Sequence, residues 1–597
     1  MEYKARKEVP NEYKWDLSKM YKNSKEIEKD IDKVNELTPK ILEFKSHIMD
    51  NSDSLYNFLK ITEEQDRIVS KLYIYSKLNF DVDTKDNKRK SLKMRMEKLN
   101  ESLNEQFSFI EPELMKTEYE TVLKYIDENK KLNEYKFYLE DIYRFKPHSL
   151  SQKEEDIFVR ALNAFGNCKE VFNNIDNTDI DLGYIKNEKD EDVKLTNSNY
   201  IVYMKSKDRN IRKSAFDAMY NYFKNRKNTL AATYVGEIKE SAFSTNVKKY
   251  NSTLERSLFN DNIDVSVYKN LIETVHKNMD LMYDYMGLRK KMLNLDELHM
   301  YDIYVDLVEC GKDNIPFEEG KKILFEALKP LGNKYLTDLN KAFEEKWIDI
   351  YPSAGKRSGA YSWGCYDSYP YLLLNYNDTA DAVSTMGHEL GHSMHTYYSH
   401  NNQNYVDSSY PIFLAEIAST VNEVLINDYM YKNAKSKEEK IFYLVDFLDT
   451  VRTTLYRQTM FAEFEMIMHE KEQNGVSLTE EEISNTYYDL NKLYYGDNVV
   501  SDDNIRYEWS RIPHFYTPFY VYKYATGLSS ALSIANRILN NDTKTRNDYL
   551  VFLSSGGNDY PLNILKKVGV DMETPKPIEE ALSLFKNKLN ELKELIK

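Results

Sequence analysis

The sequence has little cysteine, proline or glycine. Its 597 residues include 3 Cys, 14 Pro and 18 Gly. Cys168, Cys310 and Cys365 are scattered, odd in number and in no metal-binding spacing, which argues against a disulfide framework and favours a reducing compartment. No proline occurs between Pro147 and Pro316, so long uninterrupted helices are permitted there.

Long apolar runs are also missing. No segment approaches the roughly 18 apolar residues that a membrane span requires, and the charged start, Met1 to Glu8, lacks the apolar run of a signal peptide. The formal net charge of −15 argues against a surface that binds nucleic acid. We therefore predict a cytoplasmic protein with no nucleic-acid or membrane partner, and leave the oligomeric state open.

Helical periodicity dominates what is present. Charged and aliphatic residues alternate at helical spacing from about Lys25 to Glu170, and Asp208–Lys248 and Ile263–Leu293 each read as one long helix. The length and the 41% hydrophobic content are enough for a large core and more than one lobe. The pattern therefore predicts a mainly α protein.

One stretch rich in Asn and Asp, Asn173–Asn199, is the best candidate for a domain boundary. Within it, two short β-type runs flank the charged turn Lys186–Asp192, which predicts a small hairpin. We predict a first, helical domain over residues 1–195 and a second domain over residues 196–597.

The run His388-Glu389-Leu390-Gly391-His392 carries the clearest chemical signal. On a helix, two His four residues apart project from one face and can bind one metal ion, with Glu389 beside them. Such a pattern arises by chance about 0.01 times in a chain of this composition. Two neutral nitrogen ligands and a carboxylate that takes a proton from water are what a hydrolytic zinc site needs.

Two other interpretations of the His pair stay open. The pair can merely pack a helix, or it can hold a metal that only stabilises the fold. A structural zinc site closed by four protein ligands would have no need of Glu389, which favours the hydrolytic interpretation.

A third ligand is needed, and its position distinguishes families. Position 398 is Tyr398, so a third histidine at metzincin spacing is absent. The following helical run Phe413–Glu423 places Glu416 and Glu423 two turns apart on one face. We predict Glu416 as the third ligand. Glu423 is either a partner for the free N–H of a ligating histidine or an ordinary surface acid.

Taken together, these residues resemble the M3 peptidases, in the oligoendopeptidase F branch. The resemblance covers essentially the whole chain, and it is carried by the runs His388–His395, Phe413–Glu423, Ile512–Tyr516, Phe519–Gly527, Gly359–Ser362, Lys14–Leu17 and Phe552–Gly556. It implies a mainly α, two-lobed helical zinc-peptidase fold with a deep substrate channel and a small β-sheet beside the active-site helix. It also implies that residues 1–195 are an N-terminal domain of the oligopeptidase F type, and that residues 196–597 are the catalytic domain.

The activity implied by the resemblance is cleavage of internal bonds in short, unstructured oligopeptides, with one Zn²⁺ ion. Glu389 is then the general base. A metallocarboxypeptidase is the alternative enzyme, and it would need an anchor for the substrate carboxylate. Arg506 and Arg511 are candidates for that anchor, but we favour surface salt bridges for both. A non-catalytic peptide-binding protein with structural zinc is the alternative outside enzymes.

M3 peptidases carry a histidine followed by substrate-facing tyrosines near the C-terminal end. His514 corresponds to that histidine, and phenol and imidazole groups suit the stabilisation of an oxyanion. The tyrosines that follow are Tyr516, Tyr520, Tyr522 and Tyr524. The choice among them stays open, with Tyr520 and Tyr524 favoured because residues four apart share a helix face.

Two further expectations concern the surroundings of the metal helix. Tyr361–Tyr366 and Tyr369–Tyr376 are aromatic and extended, which predicts strands whose edge can pair with a substrate backbone. Their alternative role is only to support the helix. His395 either contacts substrate or makes a buried hydrogen bond, and we favour the second role.

Overall fold

Helices account for most of the computed structural model, which describes residues 3–308 and 314–597. Asn and Ser caps explain many of the helix starts. The Asn51 side chain, for example, accepts a hydrogen bond from the Ser54 N–H (2.9 Å) at the start of a 30-residue helix. Cys310 lies outside the described residues, and Cys168 and Cys365 are free thiols.

In chain order the helices are α1 (Ser24–Leu42), α2 (Ser52–Asp81), α3 (Asn87–Gln106), α4 (Ile110–Leu114), α5 (Tyr119–Glu128), α6 (Lys136–Arg144), α7 (Gln152–Phe165), α8 (Asn167–Asn173), α9 (Asn197–Met204), α10 (Arg209–Lys224), α11 (Lys227–Val247), α12 (Thr253–Phe259), α13 (Val265–His276), α14 (Met279–Met292), α15 (Phe317–Ala327), α16 (Asn333–Glu344), α17 (Ala380–Asn402), α18 (Ile412–Lys432), α19 (Lys437–Val451), α20 (Arg457–Gln473), α21 (Glu480–Tyr495), α22 (Tyr522–Leu539), α23 (Thr543–Leu553), α24 (Pro561–Lys567) and α25 (Lys576–Leu595).

The strands are short and form three small sheets. They are β1 (Tyr184–Lys186), β2 (Asp192–Lys194), β3 (Leu298–His299), β4 (Ile348–Asp349), β5 (Tyr361–Trp363), β6 (Tyr371–Leu373) and β7 (Val499–Val500). β1 and β2 form the predicted antiparallel hairpin. β3 pairs with β7, and β4, β6 and β5 form a sheet in that order, with β5 at its edge. The mainly α prediction is confirmed.

Two predicted long helices are each interrupted. Asp208–Lys248 divides into α10 and α11 at Asn225 and Arg226, and Ile263–Leu293 divides into α13 and α14. At the second break the Asn278 side chain donates to the Thr274 carbonyl oxygen (2.9 Å), which satisfies one of the last carbonyls of α13. At the first break Arg226 Nη1 donates to the Tyr222 carbonyl oxygen (3.1 Å), so a side chain bonds a terminal carbonyl at each break, and neither break contains proline or glycine.

The chain divides into two compact units. The first comprises Met1–Ser149, Lys312–Tyr429 and Ile534–Val570, and the second comprises Leu150–Gly311, Met430–Ser533 and Asp571–Lys597. In the first unit, one apolar core joins α1, α2 and α3 to the β5–β6 sheet, and a second core lies among α2, α5 and α6. None of the described helices has the length and apolar character needed to cross a membrane.

Candidate metal centre and active site

The predicted metal helix is α17, in the first unit. Thr379 caps it, because its hydroxyl oxygen accepts a hydrogen bond from the Ala382 N–H (3.1 Å). Helical spacing then brings His388 and His392 onto one face, where their Nε2 atoms lie 3.2 Å apart.

Glu416, on the neighbouring helix α18, completes the group. Its Oε2 atom lies 3.5 Å from the Nε2 atom of His388 and 3.5 Å from that of His392. Ser419 donates to the Glu416 carboxylate (3.3 Å) and to the Glu416 carbonyl oxygen (2.8 Å), which holds this side of α18 in place. Within residues 3–308 and 314–597, His388, His392 and Glu416 are the group able to hold a metal ion.

The three ligand atoms have the spacing that a tetrahedral zinc site requires. Bonds of about 2.0 to 2.2 Å at tetrahedral angles place neighbouring ligand atoms about 3.3 to 3.6 Å apart. The two separations of 3.5 Å fall within that range, and the 3.2 Å between the two Nε2 atoms lies just below it. Two imidazoles and one glutamate leave a fourth position for water, as in catalytic zinc sites. The donor set therefore fits the metal ion.

Glu423 binds the outer side of His388. Its Oε1 atom lies 3.0 Å from His388 Nδ1, so a proton on Nδ1 leaves Nε2 free to bind a metal. Burial opposes charge on His388, but the hydrogen bond and charge of Glu423, with the charges of Glu389 and Glu416, raise its pKa to about 9. Of the two roles left open for Glu423, the structure supports that of a histidine partner.

Glu389 is buried beside the two histidines, with 8% of its surface exposed. Burial raises the pKa of its carboxyl, although the charges of His388 and His392 and the backbone N–H of Ser362 favour the ionised form. Ser362 lies on β5, and its hydroxyl is 2.8 Å from the Ser393 hydroxyl on α17. The edge strand therefore packs directly on the metal helix.

The close approach of α17 and α18 depends on Gly391. A Cβ atom at this position would lie 2.5 Å from the Ser419 Cα and 2.6 Å from the Ala418 carbonyl oxygen, both backbone atoms. The fully buried Asn422 side chain also donates from α18 to the Gly387 carbonyl oxygen (2.9 Å). Glycine at position 391 thus lets the helix with Glu416 approach the helix with the histidines. The sequence analysis did not predict this role of Gly391 or the hydrogen bond that Asn422 makes between the two helices.

His395 has neither of its predicted roles. It is fully buried and stacks on Tyr410 with 3.7 Å between ring centroids. Neither ring nitrogen has a hydrogen-bond partner in the described part of the chain. Burial, with the nearby His392, lowers the pKa of His395 to about 3, so it packs as a neutral aromatic ring.

His514, Tyr520 and Tyr524 form a cluster in the second unit. Tyr524 Oη lies 3.4 Å from His514 Nε2, and the rings of Tyr520 and Tyr524 are 5.5 Å apart in an edge-on arrangement. All three side chains are partly exposed. Burial, and then the charge of Arg457, lower the pKa of His514, so its imidazole is neutral at neutral pH.

The other two tyrosines lie in the interior. Tyr516 stacks on Phe172 (4.3 Å), and its hydroxyl is 2.7 Å from the Thr233 hydroxyl. Tyr522 is fully buried against Tyr268. The two tyrosines favoured from the sequence, Tyr520 and Tyr524, are therefore the two of the four whose side chains are partly exposed. The reason given for favouring them was wrong, because α22 begins at Tyr522 and Tyr520 precedes it.

A strained turn positions Tyr520. Phe519 has a φ of 57°, which is unusual for a bulky residue, and its N–H donates to Oε1 of the buried Glu465 (3.0 Å). Ser257 donates to the Pro518 carbonyl oxygen (2.9 Å) in the same turn. A turn, and not a helix face, brings Tyr520 to Tyr524.

Comparison with known proteins identifies the family. The family model for peptidase family M3 matches residues 202–584, and that for oligopeptidase F matches residues 113–181. Oligopeptidase PepF of Bacillus subtilis is 39% identical over 591 residues, which are 99% of this chain and 88% of the relative.

Two crystal structures share the fold over nearly the full length. A Chlamydophila abortus protein is 38% identical, with a TM-score of 0.94, over 99% of this chain and 100% of the other. Oligoendopeptidase-F of Enterococcus faecium is 33% identical, with a TM-score of 0.74, over 96% and 99%. The fold, the His–His–Glu group and these matches together define a metalloendopeptidase that acts on peptides. The chain belongs to peptidase family M3, in its oligoendopeptidase F branch.

Proposed function

We propose that this protein is a zinc-dependent endopeptidase that hydrolyses internal bonds of short, unstructured oligopeptides, with His388, His392 and Glu416 as ligands of one Zn²⁺ ion. The observation that carries the proposal is the convergence of these three ligand atoms within 3.5 Å, next to the buried Glu389. Three carboxylates, those of Glu389, Glu416 and Glu423, surround two imidazoles, and this excess of negative charge favours a divalent cation.

In the proposed mechanism, a bound zinc ion supplies a Lewis acid that lowers the pKa of water and polarises the scissile carbonyl group. Glu389 accepts a proton from the attacking water and passes a proton to the leaving nitrogen. Glu423 holds the Nδ1 proton of His388, which keeps Nε2 available as a ligand atom.

The substrate backbone is proposed to pair with β5. This strand pairs with β6 on one side and lies at the edge of its sheet, so its remaining N–H and C=O groups suit an extended peptide. Recognition through backbone groups does not depend on the substrate side chains. The deep channel implied by family resemblance stays a prediction.

The domain boundary is part of the same proposal. Residues 1–195 are proposed as the oligopeptidase F N-terminal domain, and residues 196–597 as the catalytic domain. The two family matches, on either side of residue 195, support it. This boundary follows family similarity, whereas the two compact units follow packing.

The test is mass spectrometry of the products from short peptides blocked at both ends and from an unfolded protein, with and without a chelator. Internal cleavage of the short peptides that the chelator stops, and that added Zn²⁺ restores, is the expected result. A carboxypeptidase would leave C-terminally blocked peptides intact. Bound zinc without any turnover would favour a structural zinc in a peptide-binding protein.

His514, Tyr520 and Tyr524 are proposed to donate hydrogen bonds to the oxyanion that forms during hydrolysis. Removing one such donor, as in Tyr524→Phe, is expected to lower kcat by about 10² to 10³ with little change in KM or zinc content. Tyr516→Phe is the matched control, because the Tyr516 hydroxyl is bonded internally to Thr233. Equal kcat values for Tyr524→Phe and the unmodified enzyme would exclude this role for Tyr524.

A further inference from the structure

A small enclosed cavity in the second unit has no role in the proposed mechanism. Its volume is about 20 Å³, and its polar lining consists of Tyr200, Tyr220, Tyr304, Tyr495, Arg457, Arg511 and Glu508. A site for one water molecule needs about 10 to 15 Å³. The cavity is therefore of a size that suits one water molecule or one monatomic ion.

The charged groups that line the cavity do not balance. Glu508 accepts hydrogen bonds from Arg457 Nη2 (2.6 Å), from the Tyr220 hydroxyl (3.3 Å) and from the Tyr487 hydroxyl, so its carboxylate is fully engaged. Arg511 is left 3.9 Å from the same carboxylate, without a hydrogen bond to it. Two guanidinium groups thus share one negative charge.

The neighbouring acids do not remove this excess. Burial raises the pKa of Asp176, and the charge of Arg511 partly opposes this effect. In the described part of the chain, however, no ion pair within 4 Å joins Asp176 to Arg511. Behind Tyr304, Arg289 and Arg452 in turn share the carboxylate of Asp449. The side chains of Arg457 and Arg511 are only 18% and 22% exposed, so water screens their charge incompletely and an accompanying anion is favoured.

Hydroxyl groups complete the lining. Among residues 3–308 and 314–597, the hydroxyls of Tyr200, Tyr304 and Tyr495 take part in no hydrogen bond with the protein. Burial raises the pKa of Tyr200 and Tyr495, so both hydroxyls keep their protons and can donate. Guanidinium N–H and phenol O–H groups around a space of atomic size form a donor set for an anion.

We propose that this cavity binds one monatomic anion, chloride in ordinary solution, between Arg457, Arg511 and the three tyrosine hydroxyls. Arg511 is the last residue of the 3₁₀ helix Asp503–Arg511, and His514 lies in the next one, Pro513–Tyr516. The ion therefore fixes the segment that precedes His514. None of the residues that line this site is a proposed zinc ligand or oxyanion donor.

The experiment follows thermal unfolding of the zinc-loaded enzyme, transferred to a gluconate buffer and titrated with sodium chloride, bromide or sulfate at constant ionic strength. Chloride and bromide are expected to raise Tm by about 2 to 4 °C in a saturable manner, and sulfate to leave it unchanged. Bromide is expected to give one anomalous-scattering peak in the cavity of a crystal soaked with it.

The matched variants are Arg511→Gln and Arg506→Gln. Arg511→Gln is expected to abolish the halide response, whereas Arg506→Gln is expected to keep it, because Arg506 pairs with Asp503 (2.7 Å) away from the cavity lining. If Arg511→Gln does not fold, Tyr304→Phe takes its place, because it removes only one hydroxyl. Tyr304→Phe is expected to weaken the halide response several-fold. A Tm response that is equal for sulfate and chloride, or an ordered water with no bromide peak, would overturn the proposal. Since Tm does not depend on turnover, either result leaves the test of peptide hydrolysis unaffected.

Discussion

Replacement of Glu389 by glutamine is expected to lower kcat by at least about 10² to 10⁴ while one zinc ion per chain remains bound. Glutamine keeps the shape of the side chain but cannot accept a proton from water. The measurement combines kcat on a blocked peptide with zinc content by atomic spectroscopy. It separates general-base catalysis from metal binding, because Glu389 is not one of the three converging side chains that are proposed to bind the metal.

The matched control is Asp381→Asn, which removes an exposed carboxylate from the first turn of the same helix. Its loss weakens only a favourable interaction with the helix N-terminus, of about 0.3 to 1 kcal/mol, so kcat is expected to stay unchanged. Activity retained by Glu389→Gln would exclude Glu389 as the base and would direct attention to another acid near α17.

Replacement of Glu416 by alanine is expected to have its effect on the metal. Loss of a hydrogen-bond partner of a ligating histidine usually lowers metal affinity by about 10- to 100-fold. Loss of Glu416, the proposed third ligand, should lower zinc affinity by more than that. Glu423→Ala provides that comparison, because Glu423 contacts His388 Nδ1 and not the converging Nε2 atoms. Both affinities can be measured by competition with a chromophoric chelator.

The order of the two affinities is decisive. If Glu416→Ala keeps its zinc content and Glu423→Ala loses it, the roles of the two acids are exchanged. Activity restored to Glu416→Ala by excess Zn²⁺ would show that the remaining site still assembles, since mass action can refill a weakened site.

Local patterns were predicted well and helix ends were predicted poorly. The hairpin of β1 and β2 and the strands β5 and β6 follow from turn and residue-type signals over a few residues. The breaks in Asp208–Lys248 and Ile263–Leu293 carry no proline or glycine signal. They depend on side-chain caps and packing, which compete with helix propensity by amounts that a single sequence does not reveal.

The tyrosines that follow His514 also show what a single sequence does not reveal, namely which side chains are exposed. Four tyrosines follow His514 at similar spacing, and no sequence pattern separates them by exposure. The interior contacts of Tyr516, to Phe172 and Thr233, come from residues more than 280 positions away. The turn that brings Tyr520 to Tyr524 depends on Phe519 in a strained conformation, held by Glu465.

The sequence by itself determined the features of this protein that arise within one helix. Helical geometry places His388 and His392 on one face, and two turns separate Glu416 from Glu423, whatever the rest of the chain does. Only the tertiary structure decided which acid meets the two Nε2 atoms, through the close approach that Gly391 allows between α17 and α18. It alone also gathered Tyr200, Tyr304, Tyr495 and Arg511 around one cavity, because packing joins residues as far apart in sequence as Tyr200 and Arg511, which no local pattern relates.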